Sequence, residues 1–231
     1  MLNINIKKLE IKTNEKKLVD ISFEIKDSTA LIGESGSGKS LTLKALLNLL
    51  PSSFEVKKDI DSNFELNYDS IGFIPQNPFT SLSMMTKITN QFFCDEKRKE
   101  EVLNLVCLDK NVLKKFPSQL SGGQIQRVVI AIALSRDIKI LLLDEPTTAL
   151  DEENKKNIID LINEIKKHLN ILILFVTHDI NSIQNICKDI IILKNGEKNE
   201  KGLTNDILST PKEDYTKRLI NSTFKNKIFR T

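Results

Sequence analysis

Short apolar runs alternate with stretches of helical periodicity along most of this chain. The runs at 28–32, 71–74, 138–143, 171–176 and 189–193 have the length and composition of strands, and 138–143 reads as one buried on both faces. Between them, Leu41, Leu43, Leu46, Leu47, Leu49 and Leu50 predict a helix over 41–50. Ile125, Val128, Val129, Ala131, Ile132 and Leu134 predict a second helix ending near Leu134, and a charged helix runs from Glu152 to Leu169. Strands alternating with helices in this way predict a parallel sheet, and Asn195-Gly196 reads as a hairpin turn. The amino terminus alternates only weakly, with Asn3, Asn5 and Lys7 against Ile4, Ile6 and Lys8. Residues 77–120 differ in composition, and Lys97-Arg98-Lys99-Glu100-Glu101 opens a helix that packs Val102, Leu103, Leu105 and Val106 inward. The chain therefore reads as one domain over 1–231, with a core of 1–76 and 121–231 and a helical insert at 77–120.

Chemistry-bearing residues gather where the apolar runs end. Gly33-Glu34-Ser35-Gly36-Ser37-Gly38-Lys39-Ser40 lies between a strand and a helix start, with Leu41 next in the same segment. Glycines let the backbone turn tightly and aim N–H groups inward, where the helix dipole favours negative charge. Lys39 can then reach the β- and γ-phosphates of a nucleotide, and the Ser40 hydroxyl can join a Mg²⁺ shell. A flexible strand-to-helix turn is the simpler alternative.

A second glycine site, Leu120-Ser121-Gly122-Gly123-Gln124, opens the helix that ends near Leu134. It reads either as an ordinary N-cap or as a clamp on a γ-phosphate. Two anion sites on separate segments suggest a nucleotide held between two copies. The run 138–143 leads into Asp144-Glu145-Pro146, and open α/β sheets place ligands beyond the carboxyl ends of their strands. Asp144 is then placed to hold Mg²⁺ through water and Glu145 to polarise the attacking water. His178, in Thr177-His178-Asp179, shares that edge and can contact a γ-phosphate. Gln76, after 71–74, offers Mg²⁺ a neutral oxygen, with a plain loop glutamine as the alternative.

Composition narrows the classes. Thirty-four Lys and Arg against 31 Asp and Glu leave a net charge of +3, without the basic stripe of a nucleic-acid binder, so no nucleic acid is expected. Cys94, Cys107 and Cys187 show neither paired spacing nor even number, which argues against a disulfide framework or zinc site. No apolar run approaches a membrane span.

Taken in order, Gly33–Ser40, Gln76, Leu120–Gln124, Leu141–Glu145, Ala149-Leu150-Asp151 and Thr177-His178-Asp179 resemble the motif set of the ATP-binding cassette ATPases over nearly the whole chain. The resemblance implies an α/β fold: a P-loop NTPase-type parallel sheet core with an N-terminal antiparallel β subdomain and an inserted α-helical subdomain. It implies ATP and Mg²⁺ as ligands, bound in a head-to-tail dimer where Gly33–Ser40 of one subunit and Ser121, Gly122, Gly123 and Gln124 of the other close over each ATP. Glu145 would be the catalytic base, His178 the γ-phosphate switch, Gln76 the link to a membrane partner and Asp151 a cross-dimer contact, with Mg²⁺ near Ser40, Gln76 and Asp144.

Gln76-Asn77-Pro78-Phe79-Thr80-Ser81-Leu82, Phe116-Pro117, Ser40-Leu41-Thr42 and Pro211–Leu219 are similar to segments of the ATPases that drive peptide and nickel importers. Many peptide-importing members carry a longer, cysteine-containing tail, so a sequence stopping at Thr231 shifts the expectation from di- or oligopeptides towards nickel or a metal chelate. The partners implied are a second ABC ATPase, two transmembrane permease subunits and, indirectly, an extracytoplasmic substrate-binding protein, with this chain at the cytoplasmic face of the cell membrane. Phe79 to Thr86 is where the family docks a membrane-subunit helix, although Met84 and Met85 read more simply as core packing. An exporter motor, a soluble non-transport cassette ATPase and a regulator without turnover are the alternatives. One departure stands out: the family usually stacks adenine on an aromatic residue near Lys12-Thr13, and none is present there.

Overall fold

The computed structural model describes residues 1–148 and 150–228; Ala149 of the Ala149-Leu150-Asp151 segment and residues 229–231 lie outside the described residues. In chain order the strands are β1 (Ile4–Lys12), β2 (Lys17–Ile25), β3 (Ser28–Ile32), β4 (Glu55–Ser62), β5 (Ile71–Ile74), β6 (Ile140–Asp144), β7 (Leu172–Thr177), β8 (Asp189–Lys194) and β9 (Glu197–Leu203). The α-helices are α1 (Lys39–Leu46), α2 (Glu96–Leu105), α3 (Gly122–Leu134), α4 (Glu152–His168), α5 (Thr204–Ser209) and α6 (Asp214–Ile228). Two compact units form, Met1–Glu65 with Leu172–Thr231, and Leu66–Ile171.

In the first unit the strand order is β4-β1-β2-β9-β8-β3-β7. β3 pairs in parallel with both β7 and β8, and its Ala30, Leu31 and Ile32 are fully buried with Ile173 to Val176 of β7. β1, β2 and β4 pair antiparallel. A register shift between Ile6 and Leu9 explains why β1 alternates poorly in sequence. Ile4 and Ile6 are buried before the bulge, Leu9 and Ile11 after it, so the inward parity changes partway along the strand. β4 is a charged edge strand, mostly exposed.

Helix α1 stops at Leu46, short of the expected 41–50. Asn48 takes φ +57°, its N–H bonds the Ala45 carbonyl, and the Leu49 N–H bonds the Lys44 carbonyl. That is a Schellman ending, and it turns Leu49 out to 61 % exposure despite its helical spacing. β8 returns as β9 through Asn195 and Gly196 at φ +51° and +80°, the backbone of a type I′ hairpin turn.

In the second unit β5 and β6 pair in parallel, Ile74 opposite Leu143. α4 starts on an Asp151 cap and buries Ile158, Leu161, Ile162 and Ile165, with Lys166, Lys167 and His168 in its last turn where the dipole favours cations. Within 77–120, α2 follows an Asp95 cap, and 3-10 turns occupy Pro78–Ser81, Ile88–Gln91, Lys110–Lys114 and Pro117–Gln119. Met84 and Met85 are not core residues; they are 42 % and 89 % exposed. The cause is Gln91, whose amide takes the Ser83 N–H and donates to the Ser83 and Thr86 carbonyls, so this loop satisfies its backbone without burying its methionines.

Gly196 tests this packing. A Cβ there would sit 1.9 Å from the Leu18 carbonyl oxygen at a φ of +80°, so Gly196→Ala should cost about 2–4 kcal/mol in urea unfolding. An unchanged midpoint would contradict the close approach of the β8–β9 turn to β2.

Candidate functional site

The first unit presents a glycine loop between β3 and α1. A Cβ on Gly33 would lie 2.4 Å from the Leu193 carbonyl oxygen and 2.6 Å from Ser37 Oγ, so the loop starts against β8 with no room for a side chain. Gly38 takes φ +101° and packs against Val19. The Gly196 N–H donates to the Ser37 carbonyl at 3.0 Å, and the Ser37 N–H to Glu34 O at 3.2 Å. Helix α1 has no side-chain cap and no acid in its first turn, so no carboxylate opposes an anion at its start. Lys39, 5 % exposed, donates to the carbonyls of Gly33 at 2.8 Å and Glu34 at 2.9 Å. Ser37 Oγ is buried with no hydrogen-bond partner among the described residues. Glu34, Ser35, Gly36 and Ser40 are exposed, and Leu41 is half-buried. An uncapped helix start, an orphaned hydroxyl and a buried lysine fit a polyphosphate.

His178 belongs to the same unit. Thr177 pairs with Ile32, so Gly33 and the exposed His178 leave neighbouring strands at one edge. Asp179 pins the turn beyond it, accepting from the Asn181 N–H and the Ser182 hydroxyl.

The second unit brings together Gln76, Glu145 and a residue the sequence reading missed. Because Ile74 lies opposite Leu143, Gln76 and Glu145 each stand two residues beyond that pair, and Gln76 Nε2 donates to Glu145 Oε2 at 3.3 Å. The Thr148 hydroxyl donates to the same oxygen at 3.0 Å, and Thr148 N–H to the Glu145 carbonyl at 3.1 Å. Its position three residues after the acid, the span of one tight turn, was the available signal. Glu145 has φ +47°, a left-handed conformation that costs a glutamate energy, all the more before Pro146. Buried Gln126 donates from Nε2 to the Pro146 carbonyl and braces that turn. Asp144 is half-buried at the end of β6.

At the start of α3, the Ser121 hydroxyl accepts from the Gln124 N–H at 3.3 Å and Gln124 Oε1 accepts from the Ser121 N–H at 3.1 Å, a reciprocal capping box. Within this chain Ser121 and Gln124 therefore serve as helix caps. Gly122 is different: a Cβ there would meet nothing within 4 Å among the described residues, so none of them requires a glycine. Asp151 caps α4, and the Asn154 backbone and side-chain N–H groups hold its carboxyl below the usual range.

Among the described residues no group of three or more His, Cys, Asp or Glu is arranged to hold a metal ion. The serine hydroxyl, glutamine amide and aspartate carboxylate at positions 40, 76 and 144 are hard oxygen donors of the kind Mg²⁺ takes when phosphates and water complete its shell.

These features define a phosphate-loop nucleotide hydrolase. A family model described as "ABC transporter" matches residues 17–148, more than half of the chain, and the chain belongs to that family, whose ATPases couple ATP hydrolysis to transport. It is 32% identical over 231 aligned residues to the oligopeptide transport ATP-binding protein OppD of Lactococcus lactis subsp. cremoris, covering 88% of this chain and 68% of that protein. It is 30% identical over 240 residues to the metal-staphylopine import system ATP-binding protein CntD of Staphylococcus aureus, covering 91% and 88%. Among solved structures, CbiO1 of Clostridium perfringens, part of the ABC transporter complex CbiONQ, superposes with a TM-score of 0.77 at 25% identity, covering 97% of this chain and 96% of that one. No helix among the described residues is long and apolar enough to cross a membrane.

The end of the β1–β2 hairpin is polar. Lys12 pairs with Glu10 at 2.8 Å and Lys17 with Asp20 at 2.7 Å, and these carboxylates raise both lysine pKa values. Backbone amides and a lysine ammonium fit phosphates and offer nothing that tells adenine from guanine, so ATP and GTP should bind within about tenfold of each other. Equilibrium titration with each Mg²⁺-nucleotide checks this, and an ATP preference beyond a hundredfold would show that another group holds the base.

Proposed function

We propose that this chain is the ATP-hydrolysing motor subunit of an importer for nickel, a metal chelate or di- and oligopeptides. It works at the cytoplasmic face of the cell membrane, head to tail with a second ABC ATPase and seated on two transmembrane permeases, with cargo delivered by an extracytoplasmic substrate-binding protein. The cargo class is supported by the relatives named for oligopeptide transport and metal-staphylopine import. The single observation that carries the shared-site reading is Gly122, a glycine at a helix start that no described residue crowds.

In this proposal the loop amides from Gly33 to Ser40, with Lys39, bind the polyphosphate, and Ser40, Gln76 and Asp144 hold Mg²⁺. That ion, when bound, neutralises charge on the phosphate oxygens. Glu145 accepts the proton of the attacking water, and His178 contacts the γ-phosphate. The other subunit adds the Ser121 hydroxyl and the amides of Gly122 and Gly123, with Gln124 keeping Ser121 in its capping geometry. Cleavage removes the γ-phosphate contact that joins the two chains, so the pair opens. The Gln76–Glu145 hydrogen bond ties the base to the residue facing the membrane partner.

Glu145→Gln removes the base but keeps size and polarity, so turnover should fall about 10²-fold or more while ATP still binds. Lys39→Ala should instead weaken ATP binding itself. Near-normal turnover in the first variant, or unchanged affinity in the second, would contradict these assignments.

Gly122→Asp separates clamp from cap. An acid in the first turn of α3 suits the helix dipole, so the isolated chain should unfold at the same urea concentration or slightly higher. ATPase activity of the assembled pair should nevertheless fall at least about tenfold, because the carboxylate would face phosphate. Full activity would sink the shared-site reading.

A further inference from the structure

The Pro211–Leu219 segment, which the sequence offered only as a mark of cargo class, carries a tyrosine that reaches the phosphate loop. Tyr215 is 8 % exposed, and its hydroxyl oxygen accepts the backbone N–H of Glu34 at 3.2 Å. Its approach is held from β9. The Glu200 carboxylate accepts the N–H groups of Lys212 at 3.0 Å and Glu213 at 3.2 Å, and Asn199 Nδ2 donates to Thr216 Oγ1 at 3.4 Å. The Lys194 ammonium lies 5.2 Å from the centre of the Tyr215 ring, directly before the Asn195-Gly196 turn that binds the Ser37 carbonyl. Burial pushes the Tyr215 phenol up, so it stays neutral beside a site for anions.

We propose that Tyr215 is a positioning residue for the phosphate loop, fixing the Glu34 amide and so the shape in which the loop meets the nucleotide. The inference rests on the nucleotide-binding reading above. Lys39 braces the same arm of the loop through the Gly33 and Glu34 carbonyls. A lysine that turns to a β- or γ-phosphate gives up part of that brace, whereas the Tyr215 bond and the Gly196 bond to Ser37 do not depend on it. They keep the loop in its binding shape when Lys39 changes partner, which lowers the ordering cost of binding.

The test uses the full chain. Tyr215→Phe removes only the hydroxyl, so amide hydrogen exchange at Glu34 should accelerate and the Kd for Mg²⁺-ATP should rise about 3- to 10-fold, the worth of one net hydrogen bond. With its ATPase partner, kcat at saturating ATP should stay within about twofold, since Phe keeps the ring packing. Glu200→Ala, which frees the segment without touching the ring, should move exchange and Kd in the same direction, and the double variant should be no weaker than Tyr215→Phe alone. Unchanged Glu34 exchange and unchanged Kd in Tyr215→Phe would overturn the proposal; if that variant fails to fold, the same null result in Glu200→Ala would overturn it. A wild-type chain that binds no Mg²⁺-ATP would instead defeat the nucleotide reading, and Glu34 exchange would still decide whether Tyr215 holds the loop.

Discussion

The hydrogen bond from the Gly196 N–H to the Ser37 carbonyl is the constraint on which the nucleotide loop depends. A glycine-rich loop gains access to phosphate by losing side chains, and with them the contacts that would hold its backbone still. The surrounding strands restore that order. β8 closes against Gly33 through the Leu193 carbonyl, the β8–β9 turn grips Ser37, and β2 packs against Gly38 through Val19. A side chain on Gly33 or Gly38 would break its contact, and one on Gly196 would strike the Leu18 carbonyl of β2, so loop sequence and strand positions specify each other.

The second unit stores order differently. Glu145 is held at φ +47° before a proline, a conformation that persists because the Thr148 N–H and hydroxyl, the Gln76 amide and the Gln126 brace on Pro146 all act on one turn. Strain over-determined by several hydrogen bonds is a common way to aim a side chain. It places an acid where its carboxylate is within reach of a glutamine just beyond the neighbouring strand.

Much of this was legible in the sequence because the core strands are apolar and their chemistry sits at their ends. The run 28–32 coincides with β3, and the periodicity ending at Leu134 coincides with the end of α3. The misses have local physical causes. Leu49 and Leu50 continue a helical spacing that Asn48 cancels by taking a left-handed turn. The bulge in β1 erases alternation, and β4 is mostly charged, with Val56 and Ile60 too few and too far apart to signal a strand. Met84 and Met85 look like core residues until Gln91 is seen to hold their loop outward. Thr148 and Tyr215 escaped for another reason: their partners are fixed by a turn or by tertiary packing, which residue type alone does not reveal.

The central claim is that the ATP site is completed by a second subunit, and sedimentation velocity on the Glu145→Gln chain tests it most directly, alone and with its partner ATPase. With Mg²⁺-ATP a species of two chains should form, dissociating when ATP is replaced by ADP, because in the proposed shared site the γ-phosphate is what links loop and clamp. A wild-type chain that stays monomeric under every nucleotide and hydrolyses ATP at a rate per chain unchanged on dilution would contradict the account.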